Sequence, residues 1–340
     1  MENEKGTVSV ILVEETLSLA RCGGLDASPL LDAAGISPAA LESPLSRITS
    51  EQYGALWNRI AIALDDEFFG QDSHPMRSGS FVAMTRAALT AQTGGRALAR
   101  SVAFMRLVLD DLFVQVSAKG KSVRLEFVHP EQRQSPTMFA YATYFLLVYG
   151  LVCWLVGKRI SVLRACFRYS EPAAVDEYKL LFCEELTFGQ ESTYVDLMND
   201  FIDLSVIQAN RSVNAFLRDA PGNFIVRYRN PGSLAAQVRH LLRGSPTMNW
   251  PTSSALARHF RLSEATMRRR LRTEGQTYLS IKDHLRRDFA IEALQGSDRP
   301  IGLIAQELGF AEPSAFYRAF QKWTGLRPSD YRSVKHSSIK

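Results

Sequence analysis

Two stretches in the C-terminal third share one pattern, and that duplication constrains the fold of this chain more than any other feature. Residues 255–275 (ALARHFRLSEATMRRRLRTEG) match residues 303–325 at an offset of about 48 to 50. Leu256, Ala257 and Phe260 correspond to Ile304, Ala305 and Leu308; Met267 and Leu271 correspond to Phe316 and Phe320, and Gly275 to Gly325. Each copy reads as a short helix, a tight turn and a second helix. In the second copy Ile301, Ile304, Ala305 and Leu308 recur at helical spacing after Pro300, a residue suited to a first helical turn. Gly309 ends that helix and Pro313 sits near the start of the next. There Phe316, Phe320 and Trp323 share one stripe, which leaves Ser314, Tyr317, Arg318 and Gln321 outward. In the first copy Ser263 is placed to cap the second helix. The turns differ, Arg261–Leu262 against Gly309–Phe310, so the first is the less diagnostic. Helix, turn and second helix with a basic polar face is the helix-turn-helix pattern.

Residues 277–295 run between the copies with Tyr278, Ile281, Leu285, Phe289 and Ala293 on one stripe. A helix of that length spans about 28 Å. Recognition helices in successive major grooves on one face of DNA lie about 34 Å apart. With the helix offsets added, this connector suits two linked reading heads.

Charge agrees. From Gly232 onward there are 18 Lys/Arg against 9 Asp/Glu, whereas the preceding residues hold 22 against 26. A basic tail on an acidic body is the footprint of a phosphate-binding module attached to something else.

The run IAQELGF, then F-Y-R-A-F-x-x-W-T-G, then R-P-S-D-Y-R within 300–332 resembles the second helix-turn-helix of the AraC/XylS transcription regulators. The resemblance covers 234–332, nearly all of the tail, and implies two DNA-reading helix-turn-helix motifs in one all-α domain. On the helical wheel of the first recognition helix, Met267 and Leu271 face inward and Ala265, Thr266, Arg268, Arg269 and Arg272 outward. Arg269, at the centre of that face, is the candidate for a bidentate guanine contact. Arg268, Arg270 and Arg272 suit phosphates. In the second recognition helix Ser314, Tyr317 and Arg318 are groove candidates and Lys322 a phosphate contact.

Ahead of the tail the pattern is mixed. Helices are expected at 8–21, 30–34, 38–41, 50–64, 79–90 and 95–109, strands at 112–116 and 123–128, a long apolar helix at 138–156, a strand at 160–169, a helix at 175–182 and a strand at 191–196. In the 160–169 strand Leu163, Ala165, Phe167 and Tyr169 are expected on one face. The whole reads as an α+β domain over 8–205, a linker over 206–233 rich in turn signals (Asp219-Ala-Pro-Gly-Asn, Asn230-Pro-Gly-Ser, with Phe224–Tyr228 extended between them), and the helical domain over 234–332.

The family resemblance implies an effector-binding or dimerising N-terminal half. Sugar-binding members carry a β-barrel there; this body reads as too helical for that and looks more like the N-terminal domain of ornithine-utilisation-type regulators. Its aromatic residues include Phe81, Phe113, Phe139 and Trp154, and of these aromatics Phe104, Phe127, Tyr141, Tyr144 and Phe145 are the candidate ligand lining, suited to a hydrophobic or amphipathic molecule. The same residues could equally fill a core.

The 19 uncharged residues of 138–156 meet the length of a membrane span. Their tyrosines, threonine and cysteine make the run only moderately hydrophobic and favour a buried core helix. Cys22, Cys153, Cys166 and Cys183 lack C-x-x-C spacing and read as free thiols, mostly buried. The N-terminus has no signal-peptide pattern. No Gly-rich phosphate loop, H-E-x-x-H or G-x-S-x-G occurs, and the six histidines are isolated in sequence. The expectation is a cytoplasmic, non-enzymatic regulator, most simply an activator working with RNA polymerase. It binds double-stranded DNA as a homodimer under small-molecule control, with no cofactor, metal or membrane. The alternative is a regulator whose N-terminal domain is only a dimerisation or protein-partner platform.

Overall fold

The computed structural model describes residues 7–42, 46–130, 136–172, 174–183, 185–222, 234–273, 276–324 and 326–336. Two compact units emerge, one built on residues 11–35 and 50–228, the other on residues 5–10, 36–49 and 229–340.

The first unit holds helices α1 (Val10–Cys22), α2 (Ala27–Ala33), α3 (Ser50–Leu64), α4 (Ser80–Leu89), α5 (Gly94–Val108), α6 (Met138–Val156), α7 (Val175–Leu181) and α8 (Asn210–Asp219). Its sheet has five strands in the order β3 (Phe113–Lys119), β4 (Ser122–Val128), β7 (Thr193–Met198), β5 (Val162–Cys166) and β6 (Leu186–Thr187); all pairs are antiparallel except β5–β6. On one face Val123, Leu125 and Phe127 of β4 lie buried with Val195 and Leu197 of β7. The other face carries charge in register: Arg124, Asp196 and Arg164 stand side by side across β4, β7 and β5. Both arginines donate to the buried Asp196 carboxylate, at 2.8 Å from Arg124 Nε and 2.9 Å from Arg164 Nε. Burial works against its ionisation, but these hydrogen bonds hold the carboxyl below its ordinary range.

Helix α6 is buried along all 19 residues. Its limits follow from its neighbours in sequence. The Thr137 side chain accepts from Ala140 N at 3.0 Å, and Gly157 at φ 62 supplies the left-handed C-cap. Ile207 N donates to Leu155 O and Gln208 Nε2 to Trp154 O, so the last carbonyls are satisfied by the following chain. The helix is long and apolar enough to cross a membrane, yet protein encloses it throughout.

Two expectations change, and one strand is new. Residues 210–219, assigned to the linker, form α8, whose buried Val213 and Phe216 belong to the first unit; Phe216 stacks on Trp154 at 4.1 Å. On β5 an irregularity between Val162 and Arg164 places two residues against one step of β7, which turns Leu163 outward, and Tyr169 lies beyond the strand and is exposed. Strand β6 has only two residues and no periodicity to detect. The proposed extended piece at Phe224–Tyr228 and the Asn230 turn lie outside the described residues.

Among the described residues the second unit is helical apart from a two-stranded ribbon, β1 (Thr7–Ser9) against β2 (Arg47–Thr49), that the sequence did not announce. Its helices are α9 (Leu234–Arg243), α10 (Ser253–His259), α11 (Glu264–Thr273), α12 (Tyr278–Gly296), α13 (Ile301–Glu307), α14 (Pro313–Thr324) and α15 (Pro328–His336). The ribbon is built into this unit. Thr7 Oγ1 donates to Asp288 on α12 at 3.3 Å and accepts from Arg47 Nε at 2.9 Å, while the Tyr331 hydroxyl of α15 bonds Arg47 O. By these contacts, pieces of the expected 8–205 body belong with the tail.

Candidate nucleic-acid interface

Two hydrophobic clusters organise the helical unit, one per repeat. In the first, Leu256, Ala257, Met267 and Leu271 pack with Val238 and Leu242 of α9 and with Ile281 and Leu285 of α12. In the second, Ile304, Ala305, Leu308, Phe316 and Phe320 pack with Ala290, Ile291 and Leu294 of the same α12. The connector therefore serves both cores, Phe289 touching each. The single expected stripe becomes two because a straight helix turns its apolar positions toward different partners along its length. The Gly275–Gly325 correspondence lies outside the described residues.

The two turns prove alike. Arg261 N donates to Arg258 O and Leu262 N to Ala257 O; Gly309 N donates to Gln306 O and Phe310 N to Ala305 O. This is the Schellman pattern in both copies, with a left-handed residue at C′: φ 54 at Arg261 and φ 77 at Gly309. The Ser263 side chain caps α11, accepting from Thr266 N at 3.2 Å and donating to Thr266 Oγ1 at 2.9 Å.

With Met267 and Leu271 buried, α11 turns Ala265, Arg268, Arg269, Arg270 and Arg272 to solvent and leaves Thr266 half-buried at the cap. On α14 Ser314, Arg318 and Lys322 are exposed and Tyr317 half-buried against Phe316. The exposed candidates thus lie on the solvent side of the two recognition helices, while Thr266 and Tyr317 sit at the edge of the cores.

The halves are clamped to each other. Glu307 O and Leu308 O end α13 and have no partner within it. Thr247 Oγ1, just ahead of the first repeat, donates to Glu307 O, and Arg286 Nε of α12 donates to Leu308 O at 3.2 Å. The Arg286 guanidinium also lies 5.4 Å from both the Trp250 and the Phe310 ring centroids. Burial and the Arg286 charge together hold the Lys282 ammonium below its ordinary range. Thr247 and Arg286 carry no motif in the sequence; their role follows from the meeting of residues 60 and 22 positions apart, which only the fold creates.

Of the aromatic candidates in the first unit, three come together. The Phe127 ring packs edge-on against Tyr141 at 5.3 Å and Tyr144 at 5.5 Å. Phe145 points elsewhere, stacking on Tyr149 at 4.7 Å and Phe182 at 4.8 Å, and half-buried Phe104 on α5 joins none of these pairs. Burial raises both tyrosine hydroxyls, against the lowering pull of Thr193 and Arg168 on Tyr141 and of Arg106 on Tyr144. The buried Tyr144 hydroxyl has no hydrogen-bond partner among the described residues.

Two helix-turn-helix units around one shared helix, carried on a chain with a separate α+β unit, define a two-headed DNA-binding transcription regulator. Comparison with known proteins agrees. The family described as the arabinose-binding domain of AraC transcription regulator, N-terminal, matches residues 24–206, and a helix-turn-helix domain family matches residues 256–333. The chain belongs to the AraC family of transcription regulators. It is 26% identical to the ornithine utilization regulator of Pseudomonas aeruginosa over 334 residues, covering 96% of each chain. The regulator VqsM of the same organism is 35% identical over 105 residues, 31% of this chain and 32% of that one. The crystal structure of the transcriptional regulator CdpR from Pseudomonas aeruginosa aligns over 90% of this chain and 96% of its own at 21% identity and a TM-score of 0.30. The expected likeness to ornithine-utilisation-type regulators holds along the chain, and residues 24–206 also match the arabinose-binding family model of the AraC regulators. The kinship holds in sequence even though the unit is rich in helices.

Proposed function

We propose that this regulator reads a bipartite DNA site through Ala265, Thr266, Arg268, Arg269, Arg270 and Arg272 in one half-site and Ser314, Tyr317, Arg318 and Lys322 in the other. One observation carries the reading: each recognition helix buries its apolar stripe in its own core and turns a largely polar or basic face to solvent. Arg269 is assigned the bidentate guanine contact. Sequencing the DNA retained by purified protein gives the site. Arg269→Ala then weakens binding to it by about 1–3 kcal/mol and relaxes base choice at one position. Equal weakening on every sequence would remove the base-reading role.

The protein acts in the cytoplasm as a homodimer and activates transcription by engaging RNA polymerase. The N-terminal unit carries control through a hydrophobic or amphipathic small molecule at the Phe127–Tyr141–Tyr144 cluster, where the unpartnered Tyr144 hydroxyl supplies a polar handle. A second reading has its own support: the three rings already pack on one another, which favours a dimerisation or partner platform without ligand. Native mass spectrometry against a panel of amphiphiles and amino acids separates the two. A bound species lost in Tyr144→Phe supports the effector, and no binder in any class supports the platform.

A further inference from the structure

The duplicated turn isolates one residue whose identity the fold does not explain. Both copies close with the same pair of backbone hydrogen bonds and the same left-handed C′ residue. In that conformation a Cβ crowds the following carbonyl, so glycine is the favoured occupant, and the second copy has Gly309 there. The first copy has Arg261 at φ 54. Among the described residues, nothing inside the unit accounts for the side chain. Arg286 bonds Leu308 O and Arg299 bonds Glu307, whereas the exposed Arg261 guanidinium has no hydrogen-bond or ion-pair partner among the described residues. It sits two positions ahead of Ser263, the cap of the basic helix α11, with exposed Arg268, Arg269, Arg270 and Arg272 following.

We propose that Arg261 is a contact to a DNA backbone phosphate at the edge of the first half-site, kept at this turn for binding at the expense of local stability. A guanidinium fork matches a phosphate bidentately. A contact of that kind fixes the register of the protein on the duplex and carries no base preference. The proposal rests on the recognition-helix reading above and adds a residue outside both recognition helices.

The test uses the intact protein with a selected duplex and an unrelated one, titrated across a salt series, and thermal melts of each variant. Arg261→Gly is expected to melt about 2–4 °C higher as the crowding is relieved. It is expected to bind both duplexes roughly 3- to 8-fold more weakly at 0.1 M salt, with the slope of log affinity against log salt reduced by about one. Arg261→Ala loses the same affinity without the higher melting point, and Arg261→Lys keeps most of the affinity. Arg269→Ala is the control. If it weakens binding while Arg261→Gly binds with unchanged affinity and slope, the phosphate contact is overturned and the recognition-helix reading stands. If neither variant changes binding, both assignments fall. A loss confined to the selected duplex would make Arg261 a base contact and overturn the phosphate assignment.

Discussion

Asp196 shows how much one side chain can organise. It is buried on the charged face of the sheet and receives hydrogen bonds from two arginines on flanking strands. Because its folded carboxyl titrates below the unfolded Asp value near 3.9, its contribution is fully present above that value and is lost as pH falls through the folded one. Asp196→Asn should therefore cost roughly 1–3 kcal/mol at pH 7 and flatten the loss of stability below about pH 4. Urea unfolding at pH 3 to 7 measures both, and an unchanged acid limb would assign the lability elsewhere. The alternation that put Arg124 and Glu126 opposite Val123 and Leu125 was legible in sequence. The partnership with Asp196 was not, because it joins residues 72 positions apart.

At the scale of elements, legibility followed the strength of local signals. Helices α3 and α6 have the bounds that sequence alone assigns, since each is a long, strongly patterned run with clear ends. Helix α8 was missed although Val213 and Phe216 stand three apart, because the adjacent Asp219-Ala-Pro-Gly turn suggested a linker. Strands β1 and β2, three residues each, are too short to show a period. The end of α6 offers a direct check. Gly157 is left-handed, and a Cβ there would lie 2.3 Å from Ile207 Cδ1. Gly157→Ala should cost about 1–3 kcal/mol, more than the 0.5–1 that Gly-to-Ala exchange contributes in an ordinary helix with the opposite sign. A melting temperature equal to that of the parent would mean the loop carrying Ile207 gives way freely.

At the scale of the molecule, the clamp between the repeats sets how two reading heads act as one. Removing it with Thr247→Val and Arg286→Ala leaves the last carbonyls of α13 without their partners and loosens one head against the other. The double variant should lose affinity about 10-fold or more for a duplex carrying both half-sites and far less for one carrying a single half-site. Titrations against the two duplexes decide it, and equal losses would show that the clamp supports folding alone. The ribbon of residues 7–9 and 47–49 extends this unit with chain from the first fifty residues, so a fragment beginning at residue 234 lacks the strands that bond Asp288 and Tyr331.

By itself the sequence determined the two-headed tail, its family, the burial of both recognition-helix stripes and the direction of the basic faces. Those depend on spacings of three and four residues within one helix, and a period repeated twice is hard to imitate by chance. Tertiary structure alone decided which aromatic residues meet, how the repeats are locked, where the N-terminal strands belong, and that Arg261 occupies a glycine's conformation. Each of these turns on groups brought together from distant positions or on a backbone angle, and neither leaves a periodic trace in the chain.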